Sequence, residues 1–134
     1  MKLIEILDNQ NKNITESQLR MLEYYLEKFL KPHNIESHFS KHFLERANDS
    51  RNFPRLTIQE LIKLFEKQFK FNFEDIVSML LEHDICQGCL IDNSTHINIP
   101  FVVQITPENK VWFTAKTVFR KKNFYTEDPK FIVN

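Results

Sequence analysis

Glycine is almost missing from this chain: there is one, Gly88, in 134 residues. So little backbone freedom excludes a linker or a disordered tail and points to an ordered, compact, helix-rich protein. Net charge is missing as well. Eighteen Lys and Arg balance eighteen Asp and Glu, so the protein lacks the whole-surface basic field of a general nucleic-acid coat, and any polyanion site must be a local patch. Cysteine is scarce. Cys86 and Cys89 make one CxxC with no second pair, which is half of a structural zinc site. His83 and His96 lie near it in sequence but not at the spacing of known zinc templates, and no HExxH is present. No metal or cofactor is expected, and the cysteines read as half-buried thiols in or beside a strand. No run approaches the ~20 apolar residues of a membrane span. Met1-Lys2-Leu3-Ile4-Glu5 lacks the apolar core of a signal peptide. The expectation is a soluble, intracellular-type chain without a membrane partner.

What the chain does have is apolar periodicity and thirteen Phe, enough for one domain over 1–134 with a genuine core. Thr15-Glu16-Ser17-Gln18 has the form of a capping box and predicts a helix to about Lys31, with Leu19, Leu22, Leu26, Phe29 and Leu30 at helical spacing. A second helix is expected over about 36–48, with Phe39, Phe43, Leu44 and Ala47 as its buried stripe. Thr57-Ile58-Gln59-Glu60 opens a third, through about Phe69, and Asn72 a fourth, over about 73–83. Beyond Asp84 the period becomes two. Cys86–Asp92 reads as a short strand, 97–105 as a strand with apolar odd positions, and 111–119 as its partner across a turn at Pro107–Lys110. Pro100 suggests an edge position or a bulge. The predicted class is α+β: N-terminal helices packed on a C-terminal antiparallel meander.

Three groups carry chemistry. In the predicted second helix His38, His42 and Arg46 follow at i, i+4 and i+8, and the row continues into Arg51 and Arg55. Imidazole moves protons near neutral pH and guanidinium grips phosphate oxygens in pairs, although the same row also suits a solvated helix face. The second group is Lys116, Thr117, Arg120, Lys121, Lys122 and Asn123. Alternation puts Lys116 and Arg120 on the face opposite Thr117, a basic patch suited to a phosphate backbone or to a protected sheet edge. The third is aromatic: Trp112 and Tyr125 are the rings least needed by a core and able to stack on bases.

A Ser-x-His-φ-x-x-Arg segment, Ser40 to Arg46, then Thr57-Ile58-x-Glu60-Leu61, then a meander closing in Ala115-Lys116-Thr117-Val118-Phe119-Arg120-Lys121-Lys122-Asn123-Phe124, resembles the BECR superfamily. That group takes in barnase, EndoU, colicin-type and RelE-like nucleases, and the likeness is closest to its phage-borne members. It covers a core of about 36–125 and leaves the helix at about 15–31 as an addition. The resemblance implies metal-independent RNA cleavage by 2′-OH attack, giving a cyclic phosphate end. It assigns His42 as acid/base, Arg46, Arg120 and Lys116 as phosphate holders, and Thr117 as a hydroxyl donor. Arg51, Lys121 and Lys122 add charge for the RNA backbone. A phage or toxin factor is implied, in the host cytoplasm or carried on a virion, with a protein partner or inhibitor. The alternatives are an inactive virion, scaffold or regulatory protein on the same fold, and a backbone binder that does not cleave.

Overall fold

The computed structural model describes residues 13–82 and 85–134. Met1–Glu5 and His83, both read from sequence above, lie outside them.

Helix α1 spans Glu16–Leu30 and starts as its sequence predicts. Thr15 accepts from the Gln18 amide at 3.1 Å, and Gln18 returns its side-chain oxygen to the Thr15 amide at 3.0 Å. Leu19, Leu22, Leu26 and Leu30 form one fully buried stripe, each stabilising the fold by about 1.5–3 kcal/mol. A short 3-10 turn, Lys31–His33, ends on Asn34 in the left-handed region (φ 59°).

Next comes the largest departure from the sequence reading. The segment expected as one helix divides at Ser40 into strand β1, Ile35–Phe39, and helix α2, Lys41–Ala47. Phe39 and Phe43 sit four apart, which fits a helix, but positions 35 to 39 alternate buried and half-buried with period two. Ser40 then caps α2, its Oγ accepting from the Phe43 amide at 3.0 Å. His38 therefore sits on a strand, its ring 4.7 Å from that of Trp112, and does not continue the His42–Arg46 row.

Helix α3, Ile58–Phe71, opens on the Thr57/Glu60 capping box, and α4 spans Phe73–Glu82. The strands follow: β2 Ile85–Asp92, β3 Ile97–Ile105, β4 Val111–Ala115, β5 Phe119–Arg120 and β6 Lys130–Val133. The main sheet order is β1-β4-β3-β2-β6, with β5 pairing β3. β2, β3 and β4 form the antiparallel meander, while β1 joins β4 and β6 joins β2 in parallel. The architecture is α+β, with a mixed sheet. Residues from helices α1 to α4 share one hydrophobic cluster with the odd positions of β3 and β4. Helix α1 is thus part of the core and not an appendage to it.

Three local devices shape this sheet. Gly88 lies opposite Phe101, and a Cβ there would meet the Phe101 Cζ at 2.5 Å. The lone glycine thus makes room for a ring, while Asn34, His96, Asn109 and Asn123 take the left-handed positions. On the outer edge of β1, Glu23 of α1 accepts the Phe39 amide at 2.6 Å. Pro100 is in the central strand β3, not at an edge. The Lys116 amide donates to the Pro100 carbonyl at 2.9 Å, so the missing Pro100 N–H faces the same way and cannot return the second bond of that pair. The Lys116 carbonyl takes its hydrogen from Ser40 Oγ instead, at 2.7 Å. At this point the strand expected over 111–119 breaks, and 116–118 run irregularly before β5.

Candidate functional site

In α2 the buried side chains are Phe43 and Ala47, one turn apart. His42 and Arg46 precede each by one residue and lie on the more open side, where the His42 side chain is 55 % exposed. They form one wall of an open cleft of about 590 Å³, also lined by Asp49, Arg51, Asn52 and the segment Thr117 to Lys121.

The two walls are joined at both ends. Ser40 caps α2 and donates to the Lys116 carbonyl, as described. At the other end Asn52, 7 % exposed, donates to the Arg46 carbonyl at 2.7 Å and accepts from the Arg120 amide at 2.8 Å. The cleft is therefore a braced gap between α2 and the broken strand, not a loop groove.

The strand break also decides the fate of Thr117. Alternation along an unbroken strand would place it on the apolar face. After the break Val118 enters the core and Thr117 lines the cleft. Lys116 and Lys122 are exposed but are not among the lining residues. Arg51 and Lys121 are.

Inside the cleft the charges are unequal in availability. Arg120 is only 10 % exposed, and its guanidinium uses all five N–H donors. Nε donates to the Pro54 carbonyl (2.9 Å), Nη1 to Glu60 Oε2 (3.0 Å) and the Thr95 carbonyl (2.8 Å), and Nη2 to Glu60 Oε1 (2.8 Å) and the Arg55 carbonyl (3.1 Å). Arg120 is a clamp that fixes the 53–57 loop and α3 to β5. The phosphate-holding role expected of it needs donors that are already engaged. Arg51 grips Asp49 in a two-pronged pair, Nε to Oδ1 at 3.1 Å and Nη2 to Oδ2 at 2.8 Å. Among the described residues no carboxylate lies within salt-bridge distance of Arg46 or Lys121. With Asp49 and Glu60 balancing two of the four cations, the cleft keeps two uncompensated positive charges.

Arg46 Nε donates to His42 Nε2 at 2.9 Å. Guanidinium only donates, so Nε2 carries the lone pair and the imidazole proton is on Nδ1, 3.5 Å from Glu45 Oε2. The imidazole thus turns an acceptor nitrogen directly to a cation. Among the described residues Asp49 is the only carboxylate in the lining. Hydrogen bonds from the Arg51 side chain and backbone hold its carboxyl down to about 2, so it stays ionised at neutral pH and has no proton to give.

Sequence reasoning missed Asn52, Asp49 and Glu60 as site residues: Asn52 and Glu60 meet partners brought in by folding, while Asp49 pairs with Arg51 two residues on. It also passed over Phe53, 86 % exposed between Asn52 and the clamped Pro54. The two aromatics it selected, Trp112 and Tyr125, are exposed but do not line the cleft. Cys86 and Cys89 are both free and lie three apart on β2, which directs them to opposite faces of the sheet. Among the described residues no group of three His, Cys, Asp or Glu side chains is placed to hold a metal ion, and no helix is long and apolar enough to cross a membrane.

Fold and site together define an α+β protein with one braced, locally basic cleft. Comparison with protein-family models, curated proteins and solved structures finds no match.

Proposed function

We propose that this cleft binds the phosphate backbone of RNA and cleaves it without a metal ion. The observation that carries the reading is the convergence of His42, Arg46, Arg51, Thr117 and Lys121 on one open cleft. Arg46 leaves the imidazole and turns its donors to the phosphate oxygens, joined by Lys121 and the Thr117 hydroxyl. His42 Nε2, freed of its bond, takes the proton of the 2′-OH. The 2′-oxygen bonds to phosphorus, the bond from phosphorus to the 5′-oxygen breaks, and the leaving oxygen takes a proton from Lys121 or from solvent. The cations stabilise the charge that builds on the phosphorane.

The test is cleavage of an end-labelled mixed RNA pool in EDTA by wild type and His42→Ala. Cuts ending in 2′,3′-cyclic phosphate, lost in the variant, support the reading. If the folded protein leaves the pool intact, catalysis is excluded.

One observation favours a second reading, backbone binding without turnover. The lining holds a single imidazole, and its carboxylate, Asp49, is locked to Arg51. On that reading RNA is retained uncut, with an affinity that falls as salt rises.

A further inference from the structure

Lys121 lines two concavities. Besides the main cleft it borders a smaller one of about 100 Å³, whose other lining residues include Asn93, His96, Asn123, Phe124 and Lys130. No carboxylate side chain is among those lining residues, and among the described residues neither Lys121 nor Lys130 is in a salt bridge. Two lysines and four polar side chains around a dent with no carboxylate in its lining form a second place for an anion, sharing Lys121 with the first.

The shared wall is fixed. The Lys121 amide donates to the His96 carbonyl at 2.8 Å. The buried Asn98 side chain donates to the Lys121 carbonyl at 3.0 Å, the His96 carbonyl at 3.2 Å and the Phe119 carbonyl at 3.4 Å. Asn123 then turns the chain through a left-handed conformation (φ 55°). The backbone at Lys121 is held between the two clefts, with its side chain at the boundary.

We infer that the ligand is a single-stranded RNA bound at two neighbouring phosphates, one in the His42–Arg46 cleft and the next beside Lys130, with Lys121 between them. This rests on the phosphate-backbone reading above and adds to it a direction for the strand and a minimum length. A mononucleotide or dinucleotide fills the first cleft only; a longer strand reaches the second.

The experiment measures binding of two 2′-O-methyl probes, which 2′-oxygen attack cannot cleave: a dinucleotide and a short single-stranded oligonucleotide. Both are titrated at several salt concentrations against wild type, Arg46→Gln and Lys130→Gln, with unchanged urea midpoints confirming that the variants fold. Lys130→Gln is expected to weaken the oligonucleotide several-fold and to flatten its salt slope by about 0.7, leaving the dinucleotide unaffected. Arg46→Gln is expected to weaken both probes. If Lys130→Gln binds the oligonucleotide like wild type while Arg46→Gln does not, the second subsite is wrong and the first stands. If wild type binds neither probe, the RNA-backbone reading fails and this inference fails with it.

Discussion

Ser40 Oγ accepts from the Phe43 amide at 3.0 Å and donates to the Lys116 carbonyl at 2.7 Å. One hydroxyl thus starts the helix that carries His42 and Arg46 and joins it to the opposite wall of the cleft. Pro100 makes the second bond available, because it has no N–H to offer Lys116.

The two halves of that role separate by substitution. Ser40→Ala loses cap and bridge and is expected to lower stability by about 1–2 kcal/mol in urea denaturation. Ser40→Asp keeps an acceptor for the cap but cannot donate to Lys116. An intermediate loss is expected; a stability equal to that of wild type would show that the bridge contributes nothing.

Arg120 and Arg46 are predicted to behave oppositely, although both are arginines of the same cleft. Arg120→Gln strands Glu60 and three backbone carbonyls in a largely covered place, so about 2–4 kcal/mol of stability should be lost. Arg46→Gln should move stability by no more than about 0.5 kcal/mol while weakening RNA retention. Equal effects on stability would refute the assignment of one as clamp and the other as ligand.

Acid should destabilise the protein through two aspartates. Arg51 holds the Asp49 carboxyl down to about 2. At Asp92 burial pushes the carboxyl up, but hydrogen bonds from Lys67 and Ser94 outweigh it and leave the carboxyl below its ordinary value. Both folded values lie below the unfolded one. The stability they supply is therefore complete above the ordinary aspartate value of 3.8 and drains away as pH falls toward about 2. Urea midpoints at neutral pH and at two acidic values should show the decline, and Asp92→Asn should be less stable at neutral pH with a shallower acid slope. A slope identical to wild type would remove Asp92 from the account.

Gly88→Ala should cost about 1–3 kcal/mol, because the added methyl collides with the Phe101 ring. Combining it with Phe101→Leu should give a loss smaller than the sum of the two single losses, since the smaller side chain vacates the contested space. Strict additivity in thermal melts would mean the ring is not the obstacle.

Much of the fold could be read in advance where the signal is local. Thr15/Gln18 and Thr57/Glu60 form the capping boxes their spacing announces, and Ile97–Ile105 is a strand over its whole alternating length. The failures come where two local signals agree with different structures, or where the partner is distant. Phe39 and Phe43 fit a helix stripe and also fit a strand followed by a helix; only the pairing of β1 with β4, more than seventy residues on, selects the second. Arg120 looks like a free cation in sequence because Glu60 is sixty residues away. Alternation alone turns Thr117 to the apolar face; the effect of Pro100 on Lys116, a cross-strand event, brings it into the cleft. His42 and Arg46 were legible because four residues of helix are enough to bring them together.

The bond from Phe39 to Glu23 gives α1 a meaning beyond packing. It occupies a main-chain amide on a border strand that would otherwise be open to a neighbouring molecule. Cutting the protein down to residues 36–125 would strip off that cover together with the leucine stripe beneath it. Such a fragment is not a minimal working unit; it should grow by chain-to-chain strand addition and collect in the pellet, and its inactivity would say nothing about the chemistry of the cleft.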